Sequence, residues 1–380
     1  MRRITLVALL GVSLVMGAGC AVTPTAVPAT SLSTATVTAS PQPTATLTPV
    51  PPTPTLTPTV TPYPTPDPAA LSEVAKRGLA RVQAAAEDAN VVCLRYEDTD
   101  GDTAPEWLAL THQPEAGPRL GAFVLDGDTF YALPAAQPEP GDPDYGLGEY
   151  ATCEVEVRDV NADGRPEIAI FGHAEQNETL LHLYVWEREQ YRLLGAFQGD
   201  AGVFFEDADG DLTEEIIEGH HDTAAPSLAW HVVFTWDGQT YGWTSDRWAW
   251  FYPDRPHVYP THKPTYAVIS FYLALDDRDL PGAYALLAEG TRAARPYNEW
   301  ADGFATTLRV KAGAVHQIPG VGDENNARVT AQILAWDNVE GQVMVRTWEA
   351  EWATVRTGDG WRLTHGEMTL LDEWEAEYWR

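Results

Sequence analysis

From residue 90 onward, short apolar runs alternate with acidic turns in a unit that occurs three times. Trp107–Leu110, Ile168–Phe171 and Ile216–Ile217 are brief runs with branched and aromatic members. Bounded by turn residues, such runs predict strands. A hairpin follows each: Gly121–Leu133 around Asp126-Gly127, Leu181–Leu194 around Glu187–Gln190, and His231–Trp243 around Asp237-Gly238. Asp-Gly between alternating apolar residues is a strong two-residue turn signal. Ahead of the first unit, Leu71, Val74, Ala75, Leu79 and Val82 keep helical spacing within Ala69–Glu87, and Asp67-Pro68 gives a start signal. This segment is expected to pack on the sheets as a cap. Pro253, Pro256, Pro260 and Pro264 then mark a linker. Beyond it, helical patterns at Tyr266–Leu275, Leu280–Ala288 (capped by Asp279) and Asn298–Thr306 precede four strand patterns. These are Thr307–Gln317, Ala327–Trp336, Gln342–Thr357 and Trp361–Leu371, with Asp359-Gly360 turning the last hairpin. Helices followed by a long antiparallel meander indicate an α+β fold.

The turn before each apolar run carries the chemistry. With an acid at offset 0, an acid or amide at 2, an acid at 4 and glutamate at 8, three copies align. They are Asp98, Asp100, Asp102, Glu106; Asp159, Asn161, Asp163, Glu167; and Asp207, Asp209, Asp211, Glu215. Ca²⁺ takes six to eight oxygens in flexible geometry, and alternate side chains of a short loop supply them. Offset 6 adds a backbone carbonyl, from Ala104, Arg165 or Thr213. An EF-hand would continue into a helix, but Pro105 and Pro166 oppose one and a strand pattern follows. Acidic β-turns, where Asp and Gly are common for backbone reasons, explain each loop singly but not the shared glutamate. The middle loop has Gly164 at offset 5, where a positive φ costs little. Thr103 and Leu212 hold that offset in the outer loops, so the middle loop is expected to bind tightest.

Loop, glutamate and strand together resemble the calcium-binding repeats of the FG-GAP and VCBS type, over about Val91–Trp243. These form the blades of some β-propellers. The resemblance implies a mainly β repeat domain, propeller-like but partial or three-bladed, since closed propellers use four to eight blades. Offset 14 is histidine in every copy, as His112, His173 and His221. Three imidazoles could converge on a transition metal. A strand-end residue at a repeated surface position is the simpler reading.

Charge and composition fix the address and exclude some partners. Residues Met1–Gly19 have Arg2 and Arg3, an apolar run from Ile4 to Met16, and small residues up to Cys20. That is a signal peptide pattern. Gly17-Ala18-Gly19 before cysteine resembles a bacterial lipoprotein cleavage box, which implies lipidation of Cys20. The expectation is an exported chain, anchored by lipid to the cell envelope and facing outside the cytoplasm. Between Ala21 and Pro66 there is no charged residue, and 27 of 46 positions are Pro or Thr. Such a segment buries no core and favours extended polyproline II, as a stalk of residues 20–66 would. Residues 67–258 hold 37 acidic side chains against 11 basic, and residues 259–380 hold 18 against 11. The acidity therefore concentrates in the repeat domain, residues 67–258, and argues against nucleic acid as a partner.

Cys93 and Cys153 lie five and six residues ahead of their loops, on strands of adjacent repeats. Export allows a disulfide. The one-residue difference in offset would instead point them to opposite faces, as two buried free thiols.

The segment Ser270–Phe304 resembles the opening of nuclear transport factor 2-like domains, a likeness of pattern that extends over residues 259–380 and carries no catalytic motif. It implies a curved sheet and helices forming a cone with a pocket. His316, His365, Asp337 and Glu349 are the titratable residues available to such a pocket. No nucleophile elbow, phosphate loop or zinc signature is present, so no catalytic residue is assigned. Trp230, Trp236, Trp243, Trp248, Trp250, Phe251 and Tyr252 thicken toward the domain boundary, as a sugar platform or as a domain junction. The expected function is a calcium-stabilised binding or scaffold lipoprotein with a protein or glycan ligand. The alternatives are a hydrolase or isomerase using the cone, and a glycan-binding module using the tryptophans.

Cys20→Ser is expected to release the protein from the membrane fraction or leave it unprocessed, whereas Cys93→Ser leaves its address unchanged. Mass spectrometry finding an unmodified mature terminus other than Cys20 would refute the anchor.

Overall fold

Each acidic turn ends where a central strand begins, and that repeated junction organises the chain. The computed structural model describes residues 72–86, 90–112, 120–138, 140, 144–174 and 178–376, all within one compact unit, residues 58–380. Cys20, the leader and the whole stalk lie outside the described residues, as does the chain through Leu71. Among the described residues no helix is long and apolar enough to cross a membrane.

Helix α1 (Glu73–Ala85) comes first. Three meanders of four antiparallel strands follow: β1 (Asn90–Glu97), β2 (Glu106–His112), β3 (Leu120–Asp126), β4 (Thr129–Ala132); β5 (Tyr150–Arg158), β6 (Glu167–His173), β7 (Thr179–Glu187), β8 (Gln190–Gly199); and β9 (Val203–Glu206), β10 (Glu215–His221), β11 (Leu228–Trp236), β12 (Tyr241–Trp250). Helices α2 (Pro264–Asp276), α3 (Leu280–Ala285), α4 (Glu289–Ala294) and α5 (Tyr297–Ala301) lead into a fourth sheet. Its strands pair in sequence order as β13 (Thr307–Gly322), β14 (Asn326–Val339), β15 (Gln342–Thr357) and β16 (Gly360–Glu375). The fold is thus mainly β, in four four-stranded antiparallel sheets, and none of them closes into a barrel among the described residues.

The short apolar runs are central strands buried on both faces, and alternation assigns each residue to one side. Leu108 and Leu110 of β2 meet Ile168 and Ile170 of β6 in a cluster between the first and second sheets. Ala169 of β6 turns the other way, to Leu181, Leu183, Val203 and Ile216 between the second and third sheets. Trp107 and Ala109, on the outer face of the first sheet, are covered by Leu79 and Val82 of α1. The helix is therefore a cap, as its periodicity predicts. The described hydrophobic clusters join neighbouring layers in an open stack.

At the other end the core runs without a break into the C-terminal elements. Ala225, Leu228, Trp248 and Trp250 of the third repeat pack with α2 and with Val310, Ala312, Val329 and Ile333 of the fourth sheet. Helix α2 is apolar around its whole circumference, with Tyr266–Leu275 buried, as a helix enclosed on all sides must be. Asp279 caps α3 by accepting from the Gly282 N–H at 2.9 Å. Gly313 sits where a Cβ would overlap the Asp246 carbonyl, which lets β13 approach β12. The hairpins turn where the sequence places them. Arg188 and Glu189 both have positive φ, at 53° and 61°, and form a type I′ turn without glycine.

Cys93 and Cys153 are bonded, with Cα atoms 4.8 Å apart. The one-residue difference in offset does point them to opposite faces of equivalent strands, but opposite faces are what adjacent layers present to each other. Cys93 and Cys153 both enter the cluster between the first two sheets, as Leu108 and Ile168 do, while Leu94 turns outward to α1. The β1–β2 register shifts between Val91 and Cys93, and the β5–β6 register shifts between Tyr150 and Glu154. The bridge closes a 60-residue separation and ties the first strands of two neighbouring layers together.

Two predictions follow from these packing facts. Replacing both cysteines by serine is expected to cost about 4 kcal/mol of stability in denaturant titrations, from the restored freedom of a loop of that length. His182 of β7 is 4% exposed, with Nδ1 unpartnered, and burial pushes its pKa down to about 4. The unfolded chain takes up this proton near the ordinary value of 6.5 and the folded chain does not. His182 should therefore withdraw up to about 3 kcal/mol of stability as pH falls from 6.5 to 4. His182→Leu should flatten the melting profile over that window.

Candidate metal centres

In all three loops the side chains first serve the backbone, in one shared register. The offset-2 oxygen accepts the offset-4 N–H: Asp102 to Asp100 at 3.0 Å, Asp163 to Asn161 at 3.0 Å, Asp211 to Asp209 at 3.2 Å. The offset-4 carboxylate accepts the offset-6 N–H: Ala104 to Asp102 at 2.7 Å, Arg165 to Asp163 at 2.9 Å, Thr213 to Asp211 at 2.8 Å. The glutamate at offset 8 accepts the offset-1 N–H: Thr99 to Glu106 at 2.7 Å, Val160 to Glu167 at 3.0 Å, Ala208 to Glu215 at 2.7 Å. Asp98 and Asp159 hold the N–H groups of Thr103 and Gly164 at offset 5 (3.0 and 2.9 Å), and Asp207 holds that of Gly210 (2.7 Å).

Backbone strain does not separate the loops. Each turns twice through positive φ, at offsets 3 and 5: Gly101 and Thr103 at 83° and 75°, Ala162 and Gly164 at 57° and 86°, Gly210 and Leu212 at 82° and 74°. Every loop has one glycine and one residue with a Cβ in the left-handed region, so the cost of roughly 1–2 kcal/mol falls on all three. The advantage expected for the middle loop from Gly164 is cancelled by Ala162.

What separates the loops is how the buried glutamate is satisfied. Glu106, Glu167 and Glu215 begin β2, β6 and β10 and are 3%, 1% and 2% exposed. Burial, aided by neighbouring aspartates, pushes their pKa values up to about 7, 7 and 8. In the first loop one oxygen of Glu106 also accepts the Thr99 hydroxyl at 2.8 Å. In the middle loop Asn161 Nδ2 donates to the second oxygen of Glu167 at 3.0 Å, so both are occupied. In the third loop Oε1 of Glu215 is buried with no hydrogen-bond partner. Carboxylate oxygens of Asp98, Asp100 and Glu106 lie within 4.8 Å of one another, as do those of Asp207, Asp209 and Glu215. Asp102 and Asp211 fall outside these groups. Arg165 turns its guanidinium to Asp163 at 3.1 Å.

The loops also bind to the next layer. Thr99 Oγ1 is 2.6 Å from the Tyr191 hydroxyl, and the Tyr241 hydroxyl donates to the Val160 carbonyl at 3.4 Å. Second and third loops share a cleft of about 730 Å³ with the C-terminal sheet, lined by Arg158, Asp159, Asp207, Glu214, Arg309 and Lys311 among others. Its cations are paired: Arg158 with Glu214, Arg309 with Glu206, Lys311 with Asp276.

Comparison with known proteins adds little to this geometry. No family model and no curated protein matches the chain. Among solved structures it is similar to that titled "Structure of Bdellovibrio bacteriovorus Bd1075", at 10% identity and a TM-score of 0.22, over 54% of this chain and 93% of that one. A likeness at that score carries no argument.

The other candidate residues are accounted for by their surroundings. His112, His173 and His221 end β2, β6 and β10 and belong to none of the ion-sized groups among the described residues. His173 faces Glu154 at 3.2 Å, and His221 stacks on Phe251 at 4.1 Å. In the fourth sheet His316, Glu349 and His365 are exposed, and Asp337 is paired with Arg346 at 3.1 Å and Thr307 at 2.8 Å. The face toward α2 is filled by Phe271, Tyr272, Ala331, Ala350 and Leu363, and Tyr272 accepts from Trp352 Nε1 at 2.9 Å. Trp248 and Trp250 pack into the junction. Trp230 and Trp243 are exposed, but the first stacks on His220 and the second donates to Asp246.

Sequence reasoning missed Glu206, the residue before the third loop, which joins Arg247 and Arg309 and whose pKa these hold down at about 2 against the effect of burial. An acid one position ahead of the repeat was the only signal available.

Proposed function

We propose that this chain is a calcium-stabilised binding or scaffold lipoprotein, non-catalytic, carried on a lipid-anchored stalk. The observation that carries the reading is Glu215: a carboxylate 2% exposed, one oxygen unpartnered, within 4.8 Å of two aspartate carboxylates. Burying a carboxyl with an unpartnered oxygen is costly whether it is ionised or held protonated, and a hard divalent cation bound by all-oxygen donors removes that cost. Asp207, Asp209 and Glu215 would hold it in the third loop, and Asp98, Asp100 and Glu106 in the first. Asp159, Asn161, Asp163 and Glu167 offer a weaker site, because Asn161 already neutralises the demand of Glu167 by hydrogen bonding. In this reading the three layers are blades of a partial propeller, and α2–β16 are a nuclear transport factor 2-like cone whose aromatic filling favours binding or scaffolding over catalysis.

Calcium is expected to raise the melting temperature over the millimolar range usual for extracellular modules, about 10⁻⁴–10⁻³ M. Glu215→Gln should remove more of that increment than Glu167→Gln. Identical melts in chelator and in millimolar Ca²⁺ would sink the reading, and a larger loss from Glu167→Gln would reverse the order of the loops.

A further inference from the structure

The third loop differs from the others in what lies on its far side. The first two loops are each closed by a tyrosine at the start of the last strand of the following sheet, Tyr191 for the first and Tyr241 for the second. The second is clasped further by the Glu214 N–H, which donates to Val160 at 2.9 Å, and by the Arg158–Glu214 pair. After the third loop there is no fourth acidic repeat, and the C-terminal sheet takes that side. The contact is made by Glu206, the residue before Asp207. Its carboxylate accepts from Arg247 of its own sheet and, at 2.6 Å, from Arg309 of β13. The Arg309 guanidinium lies 5.4 Å from the ring centre of Trp336, which is 1% exposed. Arg309 is thus fixed between the loop's leading acid and the fourth sheet.

We propose that the ion in the third loop operates a latch: its binding sets how firmly β13 is held to the repeat layers, through Glu206 and Arg309. This rests on the calcium reading above and adds a consequence to it. Asp207, Asp209 and Glu215 crowd one another when no cation lies among them, and movement of the loop backbone relieves that crowding. Glu206 shares that backbone with Asp207, so displacement of the loop draws the carboxylate away from Arg309. Ion binding returns Asp207 to place and Glu206 with it. Coupling of this kind is reciprocal, so docking of the fourth sheet also tightens the ion. The first loop, capped by Tyr191 and remote in the stack from β13, does not exert this control.

Hydrogen exchange on the full chain, with Ca²⁺ alone as the probe against chelator, separates the outcomes. Wild type is expected to exchange more slowly with Ca²⁺ at residues 206–217 and also at residues 307–315, by roughly fivefold or more, the lower end of typical coupling between sites. Arg309→Ala should keep the effect at 206–217 and lose it at 307–315, with Arg309→Lys restoring part of it. Glu215→Gln should lose both. Protection of the loop without β13 in wild type would overturn the latch and leave the calcium reading standing, as would β13 protection that survives Glu215→Gln. No response in any of the three loops would overturn both.

Discussion

Three glutamates, Glu106, Glu167 and Glu215, stand buried at the first position of three central strands, and among the described residues no basic side chain bonds to any of them. Each accepts the backbone N–H seven residues earlier and so pins the start of its acidic loop to the start of its strand. The strand must then begin there, and its alternate residues fall toward fixed neighbours. A carboxylate in that position is costly unless something neutralises it. The three copies meet the cost differently: a threonine hydroxyl, an asparagine amide, and in the last case nothing supplied by the chain for Oε1. The same local fold therefore leaves three buried glutamates unequally satisfied.

The layers built on these junctions pack on immediate neighbours, as quasi-one-dimensional repeats do. Such a stack has two ends that would expose apolar faces. Leu79 and Val82 of α1 cover one, and the C-terminal elements cover the other through Leu228, Trp248 and Trp250. The Cys93–Cys153 bond strengthens the joint between the first two layers. The Glu206–Arg309 ion pair strengthens the joint between the third layer and β13. The linker prolines at the boundary mark a change of secondary structure rather than a gap in the core.

The local features were legible in the sequence because they follow from near-neighbour chemistry. Apolar runs after acidic turns identified the central strands, Asp-Gly pairs identified hairpins, and helical spacing identified α1 and α2. The carboxylate spacing marked the loops, although the structure groups the oxygens of offsets 0, 2 and 8 in the outer two and leaves offset 4 to the backbone. That Cys93 and Cys153 meet was not legible, because their opposite facing brings them together only once the layers stack with opposite faces of equivalent strands in contact. The second positive φ in each loop, at Thr103, Ala162 and Leu212, was hidden for a related reason. Hydrogen bonds that Asp98 and Asp159 accept from the offset-5 N–H, and Asp207 from the offset-3 N–H, stabilise a conformation that residue propensity alone would disfavour.

By itself the sequence determined the elements, their order and the repeated acidic loops, because these depend on contacts within about ten residues. Only the tertiary structure decided which loop lacks an internal partner for its glutamate, which loop faces the fourth sheet, and that Glu206 joins the two. Those depend on residues far apart in the chain: Tyr191 with Thr99, Tyr241 with Val160, Arg309 with Glu206. No pattern in one stretch of sequence encodes a distance to another, and packing of the apolar faces of the layers is what sets it.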